Sequence, residues 1–167
     1  FVRIASMPKP LTSVAMMMLY EEGRFQLNDA VSRYIPSFKN QRVLKDVAGP
    51  MTDANLVPVS RPMSIRDVFT HTAGLPFGGG KAPVNAHHRE EVFNTENDLI
   101  AMADAMGEAP LFYTPGTGWA HSTATPLRGA SWEKRCGLPF AELPHMPIFN
   151  CVGRAYDRDP VAATRSG

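Results

Sequence analysis

One helical pattern near the front of the chain constrains the fold more than any other feature. From Ser6 to about Glu22 the residues read as a single helix. Pro8 and Pro10 fall in its first turn, where a missing N–H costs least, and Gly23 supplies the stop. Leu11, Val14, Ala15, Met18 and Leu19 recur at the three- and four-residue intervals of one helix face. Such a stripe is the buried face of an amphipathic helix.

The rest of the chain is punctuated more densely. Phe1 to Ala5 alternates loosely, as a strand end would. "LNDAVSRYIPSF" reads as a cap at Asn28 or Asp29, a short helix and a terminator at Pro36. Residues 39–62 show weak periodicity and are expected to be mostly loop. In "SIRDVFTHTAGL", Ser64 and Asp67 have the spacing of a capping box, opening a short helix that ends before Gly74. Residues 76–90 read as a Gly-rich loop. "NTENDLIAMADAMG" reads as a helix capped by Asn94 or Thr95, with an acidic first turn and Gly107 at its end. "PLFYTPGTGWAHS" is a turn. Helical patterns at 123–136 and 139–149 are interrupted by Pro126, Pro144 and Pro147. The inventory is several helices and almost no strands, with no repeat.

Composition excludes some classes of function. The chain has 167 residues, one domain's worth, with 44% hydrophobic residues, 20% charged residues and a net charge of +1. That balance argues against an electrostatic nucleic-acid binder and against a polybasic membrane anchor. No apolar run approaches the roughly 18 residues of a membrane span. Phe1, with no initiator Met and no signal-peptide region before it, looks like a cut rather than a beginning, so the compartment stays open. Cys136 and Cys151 could pair, but two are too few for a disulfide framework, and both read as ordinary small residues.

Chemistry enters with Ser6 and Lys9. A serine hydroxyl becomes a nucleophile when a base takes its proton. A lysine serves as that base only when burial or a neighbouring cation lowers its pKa from about 10.4. Residues three apart share a helix face, so Ser6 and Lys9 can meet there, with the Ser6 N–H at a helix start where an oxyanion is stabilised. The same two residues also read as a helix cap and a solvated charge, and the pair alone does not decide. No Gly-x-Ser-x-Gly occurs, which excludes the strand-to-helix serine elbow of the α/β-hydrolases.

The surrounding text resembles a known family. "FVRIASMPKPLTSVAMMMLYEEGRFQLNDAVSRYIPSF" is similar to the nucleophile segment of the serine β-lactamase-like family: class C β-lactamases, family VIII carboxylesterases and penicillin-binding relatives. "MSIRDVFTHTAGLPF", "PLFYTPGTGWAHS" and "EKRCGLPFAEL" resemble three further family segments in the family's order. The resemblance implies an α+β, β-lactamase/transpeptidase-like fold. The chain would carry mainly the helical region and the nucleophile helix, with most of the central antiparallel sheet outside it. It covers a partial domain over residues 1–153, while residues 154–167 read from the sequence as a poorly ordered tail. It assigns Ser6 as nucleophile and Lys9 as general base of an acyl-enzyme hydrolase acting on a β-lactam or ester, with no cofactor and no metal. Its partner would be a small-molecule substrate, with no nucleic acid and no membrane segment.

The chain departs from the family in places. The family's second motif has a tyrosine before a serine; His121 in "WAHS" stands there, and only a doubtful acid/base role passes to it. Pro8 replaces a threonine beside the nucleophile. A third motif, Lys-Thr-Gly or similar on a strand, is expected beyond Gly167, and without it activity is expected to be impaired. The alternative is a catalytically inactive remnant that binds ligands or a complementing fragment. Trp119 reads either as lining the substrate cleft or as plain packing. His71 matches a structural position of the family. His87 and His88, being adjacent, lack metal-ligand spacing. "FGGGK" lacks the pattern of a phosphate loop, and Met16 to Met18 read as core filler.

Overall fold

The computed structural model describes residues 8–94, 98–121, 127, 129 and 130. All of them belong to the first of the chain's two compact units, Phe1–Gly137; the second, Leu138–Gly167, lies outside the described residues. The strand expected at residues 1–5, most of the two helical patterns after residue 122, both cysteines and the 154–167 tail also lie outside them. The described part holds four α-helices and a two-stranded sheet, the helix-rich balance that the sequence implied.

Helix α1 spans Pro8–Glu21. Gly23, at φ +72°, ends it: the Gly23 N–H donates to the Tyr20 carbonyl and the Arg24 N–H to that of Leu19, each at 2.9 Å. This is the paired closure of a Schellman motif. The buried face consists of Thr12, Ala15, Met16 and Leu19, whereas Val14 is 43% exposed. The expected stripe is thus rotated by about one position. Val14 to Leu19 is an unbroken apolar run, so periodicity locates the helix without fixing which edge faces inward.

The segment after α1 is not the capped helix expected. It forms two 3-10 turns, Val31–Arg33 and Pro36–Asn40. Asp29 is not a cap; its carboxylate accepts from the Gln26 N–H at 2.9 Å, from Arg33 at 3.2 Å and from the Tyr34 hydroxyl. Pro36 opens the second turn rather than closing the first. The reason is tertiary. The Val31 N–H donates to the Met63 carbonyl at 2.9 Å and Ala30 bridges Ser64, so the chain is drawn straight where a helix would begin.

Residues 39–62 contain a hairpin that periodicity missed. Strand β1, Arg42–Leu44, pairs antiparallel with β2, Leu56–Pro58, in the register Val43 opposite Val57. On its other side β1 takes Leu111: the Leu111 N–H donates to the Arg42 carbonyl at 2.9 Å, and the Leu44 N–H to that of Leu111 at 3.0 Å. The Asn55 side chain braces the connecting loop, donating to the Asp46 and Pro50 carbonyls at 2.8 and 3.0 Å. Strands of three residues are too short to display an alternation.

Helix α2 covers Ile65–Thr70, and its capping box is formed as expected: Ser64 and Asp67 each accept from the other's backbone N–H. The supposed loop at 76–90 keeps its loop character at Gly78 to Gly80, where Arg89 donates to the Gly78 carbonyl at 2.6 Å. Pro83 then starts α3, Pro83–His87, which widens into a π-turn at His88–Val92 and buries Val84 and Val92 completely. Helix α4 is Leu99–Glu108, capped by Asp98, which accepts from the Ala101 N–H at 2.7 Å. Asn94 precedes the helix too far to cap it, Thr95 lies outside the described residues, and the first turn carries no acid.

Gly107 belongs to α4 rather than ending it. It lets the helix lie against the Pro36–Asn40 turn, where a Cβ would stand 2.3 Å from Ser37 Oγ and 2.8 Å from Phe38. Ser37 also donates to Asp104 at 3.0 Å. Helix propensity alone favours Gly107→Ala by about 0.5–1 kcal/mol. Overpacking reverses the sign, and a net destabilisation of about 1–3 kcal/mol is expected in chemical denaturation. Among the described residues, no helix is long and apolar enough to cross a membrane.

Candidate active site

Lys9 sits in the first turn of α1, partly buried, between Pro8 and Pro10. Its carbonyl accepts from Ser13 Oγ at 2.9 Å. Ser6 lies outside the described residues, so its meeting with Lys9 remains the inference from spacing.

The second cluster of candidate residues is built by two segments lying side by side. The turn after α2 runs His71–Pro76, and the second-motif segment runs Phe112–His121. The Phe112 N–H donates to the Gly74 carbonyl at 2.8 Å, Gly116 to Thr72 at 2.8 Å and Ala120 to His71 at 3.1 Å. Gly74 has φ +78°, and a Cβ there would stand 2.2 Å from the Tyr113 carbonyl oxygen. The close approach of these segments therefore depends on a glycine. Two stretches that resembled the family separately are one hydrogen-bonded unit.

Asp67 anchors that unit from below. Its carboxylate takes both arms of the Arg61 guanidinium at 2.8 Å, the Ser64 N–H and hydroxyl at 2.9 and 2.6 Å, and the Thr72 hydroxyl at 3.0 Å. Burial pushes the Asp67 carboxyl up, but the hydrogen bonds from Arg61, Ser64 and Thr72 outweigh it and hold it lowered to about 2. Arg61 in turn lies under Gly116, where a Cβ would stand 2.1 Å from Nη2. The ion pair thus supports both the start of α2 and the turn that carries the second motif.

The rings at the end of this unit gather around His121. Its imidazole stacks on that of His71 with centroids 5.7 Å apart and planes 11° apart, and meets Phe77 edge-on at 5.1 Å. Trp119 lies at 6.1 Å from the other ring, His71. It is 68% exposed, so it is not a core residue. His121 is exposed as well. The structure brings His121 and Trp119 together through His71. Sequence reasoning assigned no site role to His71 or Phe77, because ring contacts between residues so far apart leave no trace in spacing.

Other candidates reduce to structure. Burial, and then the neighbouring His87 charge, lowers the wholly buried His88 to about 4, leaving it neutral near pH 7. Among the described residues no three His, Cys, Asp or Glu side chains could hold a metal ion. Two clefts of about 390 and 400 Å³ flank Arg61, and neither has Lys9, Trp119 or His121 in its wall.

Comparison with solved structures defines the class: the fold is β-lactamase/transpeptidase-like. EstCE1, a hydrolase with promiscuous acyltransferase activity, matches with a TM-score of 0.73 and 24% identity, over 95% of this chain and 40% of that one. The chain belongs to the serine β-lactamase-like family, the Beta-lactamase family model matching residues 1–154. Protein Rv1367c of Mycobacterium tuberculosis is 34% identical over 128 residues, 76% of this chain and 31% of that protein. Esterase EstB of Burkholderia gladioli is 29% identical over 143 residues, 83% of this chain and 33% of that protein. The chain spans about a third of the length of these curated relatives.

Proposed function

We propose that this chain carries the nucleophile-bearing part of a serine hydrolase that works through an acyl-enzyme on a β-lactam or ester carbonyl. The observation that supports it most is the family match running through "SMPK", with Lys9 in the first turn of α1. Ser6 Oγ attacks the carbonyl carbon and gives its proton to Lys9 Nζ. The C–O or C–N bond to the leaving group then breaks, the leaving group taking a proton from His121, which the proton held on Lys9 replaces. Water afterwards attacks the acyl carbon, releasing the acid and returning the proton to Ser6 Oγ. Trp119 contributes an apolar surface beside the second motif. The named activities of relatives such as EstB support an ester carbonyl, and the family itself supports a β-lactam.

A second reading, a non-catalytic member that binds substrate-like ligands, is favoured by the imidazole of His121 at the family's phenol position. Intact-mass labelling with a β-lactam and with a fluorophosphonate, beside a Ser6→Ala control, separates the two. A stoichiometric adduct lost in Ser6→Ala is the expected result. A folded chain that takes up neither probe would leave the binding reading.

A further inference from the structure

We infer that His71 is a positioning residue, holding the imidazole of His121 in one plane for the proton transfer assigned to it above; the inference rests on that assignment. His121 is exposed, and an exposed imidazole at the end of a turn ordinarily samples several rotamers. Here two rings limit it. His71 lies near-parallel to it, centroids 5.7 Å apart, and Phe77 meets it edge-on. These are the two arrangements that aromatic rings favour.

The backbone supports the same conclusion. His71 ends α2 in the left-handed region, at φ 60° and ψ 28°, the described residues' sole non-glycine at positive φ. Glycine, with no Cβ, would occupy that position with less strain. A ring kept at such a position points to a use for the ring. The His71 carbonyl accepts from the Ala120 N–H at 3.1 Å and from the Tyr113 hydroxyl at 3.4 Å. One residue therefore fixes the backbone just before His121 and also the face of its ring. Trp119, edge-on to His71, continues the row.

The test compares His71→Asn, which suits the left-handed backbone and lacks an aromatic ring, with His71→Phe, which keeps one. Phe77→Leu, at an exposed loop position, is a second way to remove a wall. The readouts are the rate of Ser6 acylation by the β-lactam, whose ring nitrogen must take the proton assigned to His121, and NMR cross-relaxation between the His121 and Phe77 rings. In His71→Asn the ring contacts should disappear and labelling slow about tenfold or more, as misplacement of a reacting group does. His71→Phe should restore both, and in a His121→Ala background His71→Asn should have no further effect. Unchanged labelling in His71→Asn, or an equal further loss without His121, would overturn the proposal. If the unmodified chain takes up no probe, the hydrolase reading fails on its own. The NMR arm then still decides: ring contacts that persist in His71→Asn sink the positioning role, and their loss with recovery in His71→Phe sustains it.

Discussion

Gly74→Ala is expected to cost the described unit about 2–5 kcal/mol and to abolish Ser6 labelling with it. Two effects add. At φ +78° an L-residue occupies the left-handed region, at about 1–2 kcal/mol. The new methyl also meets the Tyr113 carbonyl oxygen at 2.2 Å, and that atom is backbone, which cannot rotate away. Relief requires the two segments to separate, breaking the bond from the Phe112 N–H to the Gly74 carbonyl. Gly23→Ala is the control. It has a similar φ of +72° with nothing within 4 Å, so it should lose only the conformational part. Urea midpoints for both variants check the claim, and equal losses would show that the Gly74 contact is not a constraint.

The second large effect belongs to Asp67. Its side chain is 5% exposed, while that of Arg61 is 45% exposed. Removing the guanidinium by Arg61→Ala leaves a buried carboxylate with fewer donors, a change that costs about 3–5 kcal/mol for a wholly buried pair. Solvent reaches Arg61, so about 2–3 kcal/mol is expected. Acid should act on the same group. The folded carboxyl, at about 2, binds its proton less tightly than the unfolded one, at 3.8. Its contribution is therefore fully present above about pH 4 and is lost as the pH falls through about 2. The difference between those two values corresponds to about 2–3 kcal/mol. Asp67→Asn should be less stable at neutral pH and should flatten the acid limb between those values. An acid limb of undiminished slope in Asp67→Asn would place the titration elsewhere.

What the sequence revealed depended on how local each cause was. Ser64 and Asp67 form their box within three residues, and Gly23 stops α1 by its own backbone, so both were legible. The hairpin was not, since Arg42–Leu44 gains its partners from β2 and from Leu111. The phase of the α1 stripe failed for a related reason: Val14 and Met16 are equally apolar, and only the packed core prefers Met16. Asp98 displaced Asn94 and Thr95 because several good capping residues stood in a row. At the candidate site, Ser6 and Lys9 were singled out by their spacing and His121 through resemblance, while the ring pairing of His71 with His121 is a product of the fold.

The place of Leu111 beside β1 has a consequence for the order of assembly. The hairpin closes over a short loop, but its other edge is completed by a residue synthesised far later. At about 5–20 residues per second, the inner edge of β1 waits several seconds on the ribosome with Arg42 and Leu44 unpaired. An open strand edge is a template for pairing with another chain. Because Leu111 leads directly into the second-motif segment, that segment gains its long-range anchor only after the late closure. Its amides should therefore be among the last to gain protection from hydrogen exchange during refolding, and crowding of nascent chains should penalise this segment first.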